Sequence, residues 1–340
     1  MEYRMYGWGE DPAAALPRLK ALGYTAVTGG YSEKTAAACR ENGFGYYISV
    51  NGFSAPAGYT CADGTVLPGE YCPCNEASRT ARLDSLRRTA ALDGITGITV
   101  DYCRFPSAMG CNPHFFGCFC PTCMARMTAA GLDAQRIRTA VAAFMRGAAG
   151  SDPFEVDADA LADWIVWKKR IITEHFRLLR DTVRSVSPAL RFGAYLFAPS
   201  VAGLVGQDYA ALDGLADELS PMLYRFWPDP DGEACLDREV SGIMTMAERN
   251  PSAAEAFAAC GFDISGFPGS AYLDRNGVNV THILSETAKA CAAVKKARLI
   301  PIYLLTDRHI ASTAACARPY CDGLDFFVYR DGVSVLPNPS

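Results

Sequence analysis

Eight short runs rich in β-branched and aromatic residues alternate with helical stretches, and that alternation constrains the fold more than any single motif does. The runs fall at residues 3–8, 25–28, 45–50, 97–103, 191–197, 219–226, 299–305 and 323–329. Helical stretches at 12–22, 33–41, 78–92, 158–186 and 281–296 lie between them, several ending at a Gly, Asn or Pro. Strands that alternate with helices build parallel sheets, and eight such units close a (β/α)8 TIM barrel. An open doubly wound sheet would instead carry a Gly-rich phosphate turn after its first strand. Gly7-Trp-Gly9-Glu-Asp-Pro is not that turn, and no P-loop glycine and lysine pattern occurs. The expected fold class is therefore an α/β barrel.

The chain of 340 residues is half hydrophobic and one-fifth charged, enough apolar material for a large core. The expectation is one barrel domain over 1–340. A net charge of −5 gives no basic footprint for nucleic acid or an anionic membrane, which leaves a small neutral or cationic ligand as the better fit. The opening Met-Glu-Tyr-Arg-Met-Tyr-Gly-Trp lacks a basic segment followed by a long apolar one, and no window reads as a membrane span. A soluble, cytoplasmic chain is expected, with a homo-oligomer left open.

The connections are unequal. Segments 52–74, 105–157 and 227–279 follow the third, fourth and sixth strands, are long, and read as loops rich in Gly, Pro, Cys and aromatics. Insertions after strand ends fall on the barrel face that carries active sites. The fourth run, Ile98-Thr-Val-Asp-Tyr-Cys-Arg-Phe-Pro106, ends in an acid, a phenol and a guanidinium. A buried strand that opens into such a cluster presents a reactive group to solvent, which makes Asp101 the first catalytic candidate, with Arg104 placed to hold it ionised or to bind a hydroxyl.

Fourteen cysteines spread over a large chain do not describe a small disulfide scaffold. Cys118-Phe-Cys120-Pro-Thr-Cys123 places three thiols within six residues, with Cys72-Pro-Cys74 upstream. Four thiolates in a tetrahedron make a closed structural zinc site, and close-spaced thiols let one loop reach the ion from two sides. Cys61, Cys72, Cys74, Cys103 and Cys111 all qualify as the fourth ligand on spacing, and His114 is an alternative. The competing readings are an iron–sulfur cluster, whose radical-enzyme triplet is one residue longer, and unligated buried thiols. Cys39, Cys260, Cys291 and Cys316 read as small buried hydrophobes on helices.

In order, Cys72-Pro with Arg79, Gly97-Ile-Thr-Val-Asp101-Tyr-Cys-Arg104-Phe-Pro106 and the Cys118–Cys120–Cys123 triplet resemble glycoside hydrolase-like (β/α)8 barrel proteins. The zinc layout is similar to that of family 42 β-galactosidases. The fourth strand resembles less characterised barrel families that read Gly-Ile-x-x-Asp-Tyr-x-Arg-Phe/Tyr-Pro. Trp164-Ile-Val-Trp-Lys-Lys-Arg, the helix running to Ser187-Pro188, and Leu219-Ser-Pro-Met-Leu-Tyr224 resemble the same group. The likeness is strongest over 72–227. It implies a zinc held by Cys72, Cys118, Cys120 and Cys123, in an insertion formed by about 52–75 and 106–157. Family 42 carries Asn-Glu after its fourth strand, where this chain has Asp101-Tyr102, so β-galactosidase activity does not carry over.

Glycoside hydrolysis needs two carboxyls, about 5–5.5 Å apart for retention or roughly 6.5–9.5 Å for inversion. With Asp101 as nucleophile or base, Asp307 after the seventh strand is the favoured acid. Asp229 and Asp231 compete, although Asp-Pro-Asp-Gly is also ordinary turn chemistry. Trp8, Tyr102, Tyr224, Trp227 and Tyr329 fall at strand ends, where rings stack on sugars. Of four histidines, His175 and His282 read as surface or packing residues, and His309 lies near Asp307. The function expected is a glycoside hydrolase acting on a small carbohydrate. The alternative is an inactive barrel that binds carbohydrate or a protein.

Overall fold

The computed structural model describes residues 1–8, 12–53, 58–68, 71–225 and 235–329. Eight parallel strands close into a barrel: β1 (Glu2–Trp8), β2 (Ala26–Gly29), β3 (Gly45–Asn51), β4 (Gly97–Asp101), β5 (Arg191–Phe197), β6 (Glu218–Met222), β7 and β8 (Gly323–Tyr329). β7 comes in two pieces, Arg298–Leu299 and Ile302–Leu304, separated at Ile300-Pro301 because proline has no N–H for the ladder. Closure is made where Ile302 pairs with both Met222 of β6 and Asp325 of β8.

Local chemistry sets the helix boundaries. Ser32 accepts from the Thr35 N–H to start helix Glu33–Asn42, and Gly43 ends it at φ 73°, a left-handed turn that glycine adopts freely. Asn75 caps Glu76–Ala90 and Asp157 caps the long helix Ala158–Val186. β4 was expected to run to Cys103. It stops at Asp101 because Tyr102 turns to φ 51°, which no strand accommodates. β6 likewise ends before its expected limit, at Met222.

The segments read as loops are substantially helical. Pro121–Ala129 and Ala134–Ala148 follow β4, while Leu236–Arg249, Pro251–Ala259 and Ser270–Asn276 follow β6. Their apolar faces pack on one another and on Ala158–Val186, where Phe115, Phe144, Trp164 and Phe257 form an aromatic cluster with edge-on contacts. Of the four cysteines expected on helices as buried hydrophobes, Cys39 and Cys260 are buried, Cys291 is half-buried and Cys316 is exposed. Among the described residues no helix is long and apolar enough to cross a membrane.

The barrel interior is polar rather than aliphatic. At its floor Arg4 of β1 pairs with Glu2 and with Glu218 of β6 across the lumen, and Arg298 donates to Glu218 at 2.7 Å. Above that layer the Tyr195 hydroxyl donates to Asp325 at 2.9 Å, and Tyr195 stacks on Tyr6 with ring centres 5.3 Å apart. Burial pushes the Asp325 carboxyl up to about 6. This floor leaves the opposite, carboxyl-end face for ligands.

Candidate active site and metal centre

Asp101 closes β4 beside Asn51 of β3, half-buried at the barrel mouth. Its Oδ1 accepts the Tyr102 N–H at 2.7 Å, and its carbonyl accepts the Gly52 N–H at 2.6 Å. Burial raises the carboxyl above its ordinary range, against the opposing pull of the Arg104 charge and of the Tyr102 N–H. Three phenols surround it. Burial, and to a lesser degree the Asp101 charge, pushes Tyr6 up to about 12 and Tyr224 well above its usual range. Tyr102 itself is 44% exposed, and the Arg104 guanidinium lies 4.5 Å from its ring centre.

The other expected residues are placed unevenly. Tyr224 follows β6 and packs on Phe327, 5.1 Å between centres. Trp8 and Tyr329 end β1 and β8 and are backbone register partners there. Trp227, Asp229 and Asp231 lie outside the described residues. Asp307 follows β7 and is gripped bidentately by Arg225, at 2.6 Å to Oδ2 and 3.1 Å to Oδ1, while Oδ1 also accepts the His309 N–H. Arg225 is anchored in turn on the Val278 carbonyl.

Two residues were missed by the sequence reading. Glu239, 2% exposed on helix Leu236–Arg249, accepts from the Ser107 hydroxyl at 2.7 Å and ties the segment after β4 to the helix after β6. Burial pushes its carboxyl up to about 7, despite the Ser107 hydrogen bond and the nearby Arg104. Its helix was read as loop, although apolar residues at helical spacing such as Leu236, Val240, Ile243 and Met244 were there to reveal it. Tyr6 was the other, and its alternation with Arg4 and Trp8 along β1 was the available signal.

A second cluster flanks this mouth. The sulfurs of Cys72, Cys118, Cys120 and Cys123 all lie within 4.8 Å of one another. Cys72 Sγ is 3.6 Å from that of Cys120 and 3.4 Å from that of Cys123. A zinc tetrahedron with Zn–S bonds of about 2.3 Å has sulfur–sulfur edges of about 3.8 Å, so the four thiols fit a metal of that size. Cys120 caps helix Pro121–Ala129 and Cys123 sits in its first turn, where the helix dipole favours thiolates. Cys118 accepts the Thr60 N–H at 3.5 Å from the short hairpin Tyr59–Thr60 and Val66–Leu67. Cys74 is buried beside the quartet but outside it, Cys61 donates to the Pro113 carbonyl, and Cys111 donates to that of Gly242. Cys103 and His114 are outside the quartet as well.

An outer layer of charge steadies the quartet. Arg126, one turn beyond Cys123, and Arg79 both donate to Glu174 at 2.8–3.0 Å, fastening helix Pro121–Ala129 and helix Glu76–Ala90 to Ala158–Val186.

No family model matches the chain, and no curated protein matches it. Solved structures do. A β-galactosidase from the Antarctic haloarchaeon Halorubrum lacusprofundi superposes over 97% of this chain and 53% of its own, with a TM-score of 0.61 at 13% identity. A β-galactosidase from Marinomonas ef1 gives 98%, 54%, 0.60 and 11%. A family 42 β-galactosidase from G. stearothermophilus gives 98%, 52%, 0.57 and 12%. In fold, the chain is an eight-stranded parallel α/β barrel similar to the barrels of those β-galactosidases. This chain spans about half the length of those solved structures. At such identities the likeness speaks for the fold alone.

Proposed function

We propose that this barrel cleaves or transfers a glycosidic bond at the carboxyl end of β4. The observation that carries the reading is the position of Asp101, a half-buried acid at the mouth of a barrel similar in fold to glycoside hydrolases, set among Tyr6, Tyr102, Tyr224 and Arg104. Phenols and a guanidinium there supply ring faces and donors for sugar hydroxyls.

The sequence reading made Asp101 the nucleophile or base and Asp307 the acid. The surroundings favour the opposite division. Burial favours the protonated form of Asp101, which suits a group that gives its proton to the glycosidic oxygen as the C–O bond breaks. Asp307 is gripped by the Arg225 guanidinium, which suits the carboxylate that faces the developing positive charge or takes a proton from water.

The metal we propose for the cysteine quartet is zinc, in a structural role. It would be held by Cys72, Cys118, Cys120 and Cys123 and would fix the loops beside Asp101.

One observation favours a binding-only barrel as the second reading: Arg225 occupies both oxygens of Asp307. A glycoside panel separates the two. Turnover that Asp101→Asn abolishes, with Tm within a few degrees of the parent, supports the hydrolase. Sugar binding without turnover in the parent protein supports the second reading, and turnover retained by Asp101→Asn overturns the assignment of that residue.

A further inference from the structure

Arg104 is only 9% exposed, with its guanidinium 4.5 Å from the Tyr102 ring centre and 4.6 Å from that of Phe197. The rings hold its plane and shield its faces. Its edge is a different matter. Among the described residues the guanidinium makes no hydrogen bond and no ion pair, and its Nε is buried without an acceptor. The carboxyls that share its neighbourhood, Asp101 and Glu239, feel its charge but make no ion pair with it, and each has another donor: Asp101 takes the Tyr102 N–H, and Glu239 takes the Ser107 hydroxyl. A buried guanidinium without a contacting anion is costly to maintain, and removing one partner of such a pair typically costs several kcal/mol. Arginine also presents a rigid fork that matches planar oxyanions bidentately.

We infer that the missing partner comes with the ligand: the sugar ring bound beside Asp101 bears an oxyanion, a carboxylate or a sulfate ester, that pairs with Arg104. The inference rests on the carbohydrate reading above and narrows it from sugars in general to acidic sugars. It also separates this site from that of a galactosidase, whose galactosyl ring carries no charge. With an acidic sugar in place the guanidinium gains its anion and Asp101 remains available to the glycosidic oxygen.

Titration calorimetry on the full chain tests this with glucuronic acid and galacturonic acid, their neutral counterparts glucose and galactose, and a sulfated galactose. At least one acidic sugar should bind about tenfold or more tightly than its neutral counterpart, with the preference shrinking as salt rises. The uronic and sulfated arms tell carboxylate from sulfate. Arg104→Gln should erase the preference, and Arg104→Lys, which keeps the charge but not the fork, should restore only part of it. Equal affinity for acidic and neutral sugars, or a preference that survives Arg104→Gln, overturns the inference. If Arg104→Gln does not fold, the comparison within the parent protein decides alone. Binding of neutral sugars only would remove the acidic ligand and leave the carbohydrate site standing. Binding of none of the sugars would remove both.

Discussion

Tyr71, one residue before Cys72 of the cysteine quartet, donates its hydroxyl at 2.9 Å to the carbonyl of Tyr102, one residue after Asp101. The same hydroxyl lies 3.4 Å from the Arg104 carbonyl, and the Tyr71 ring stacks on Phe53, which stacks on His175. The loop that carries Cys72 and the end of β4 are thus joined through one side chain. Tyr102 needs such a hold, since a non-glycine residue at φ 51° is strained by about 1–2 kcal/mol.

Tyr71→Phe keeps the ring packing and removes the donor. A loss of about 1 kcal/mol of stability is expected by denaturant titration. Sugar affinity or turnover should fall by more than that loss accounts for, because Tyr102 and Arg104 are released together. An unchanged ligand-binding isotherm would show that the hydrogen bond does not position the site.

Metal analysis should find about one zinc per chain, and a strong chelator should lower Tm. Cys72→Ser and Cys120→Ser should lose the ion, whereas Cys74→Ser should keep it, because Cys74 lies outside the quartet. Iron with visible absorbance would point to a cluster instead.

Gly52 follows β3 and packs against Cys103, two residues beyond Asp101. A Cβ there would sit 2.6 Å from the Cys103 Cβ and 2.7 Å from its Cα, both too rigid to move aside. Gly52→Ala should therefore cost about 2 kcal/mol or more. It should also disturb the Gly52 N–H bond to Asp101 and the His175 Nε2 bond to the Gly52 carbonyl, at 2.7 Å. The denaturation midpoint measures the first effect, and ligand affinity at a temperature where the variant is folded measures the second.

The strands of this barrel were legible because buried parallel strands are rich in β-branched residues, and Ile98-Thr-Val is such a run. The cysteine quartet was legible too, since Cys118, Cys120 and Cys123 are neighbours in sequence and a resemblance supplied Cys72. What sequence left open depends on contacts between distant segments. That Arg225 grips Asp307 across 82 positions, or that Ser107 reaches Glu239 across 132, leaves no local pattern. The helices after β6 were missed for another reason: Gly and Pro in that segment outweighed the periodicity of Leu236–Arg249, whose buried side packs on the turn at Met109–Cys111. His175, read as a surface or packing residue, is fully buried, and burial pushes its imidazole down to about 4.

The Glu239 carboxyl carries a pH signature that one substitution can isolate. Its ordinary value of 4.5 is raised to about 7 by burial. Between those values the folded protein holds a proton that the unfolded chain has released. Its contribution is therefore complete below pH 4.5 and is lost as pH rises through about 7, a difference of about 3 kcal/mol. Asp325, raised to about 6, acts in the same direction, and His175, lowered from 6.5 to about 4, acts in the opposite one, its contribution fading as pH falls through that range. Comparison with Glu239→Gln isolates the one group. Glutamine is neutral at every pH and keeps an acceptor for Ser107, so the variant should lose less stability than the parent between pH 5 and pH 8. Tm measured at both values checks this, and parallel pH profiles for parent and variant would show that Glu239 does not hold a proton in the folded state.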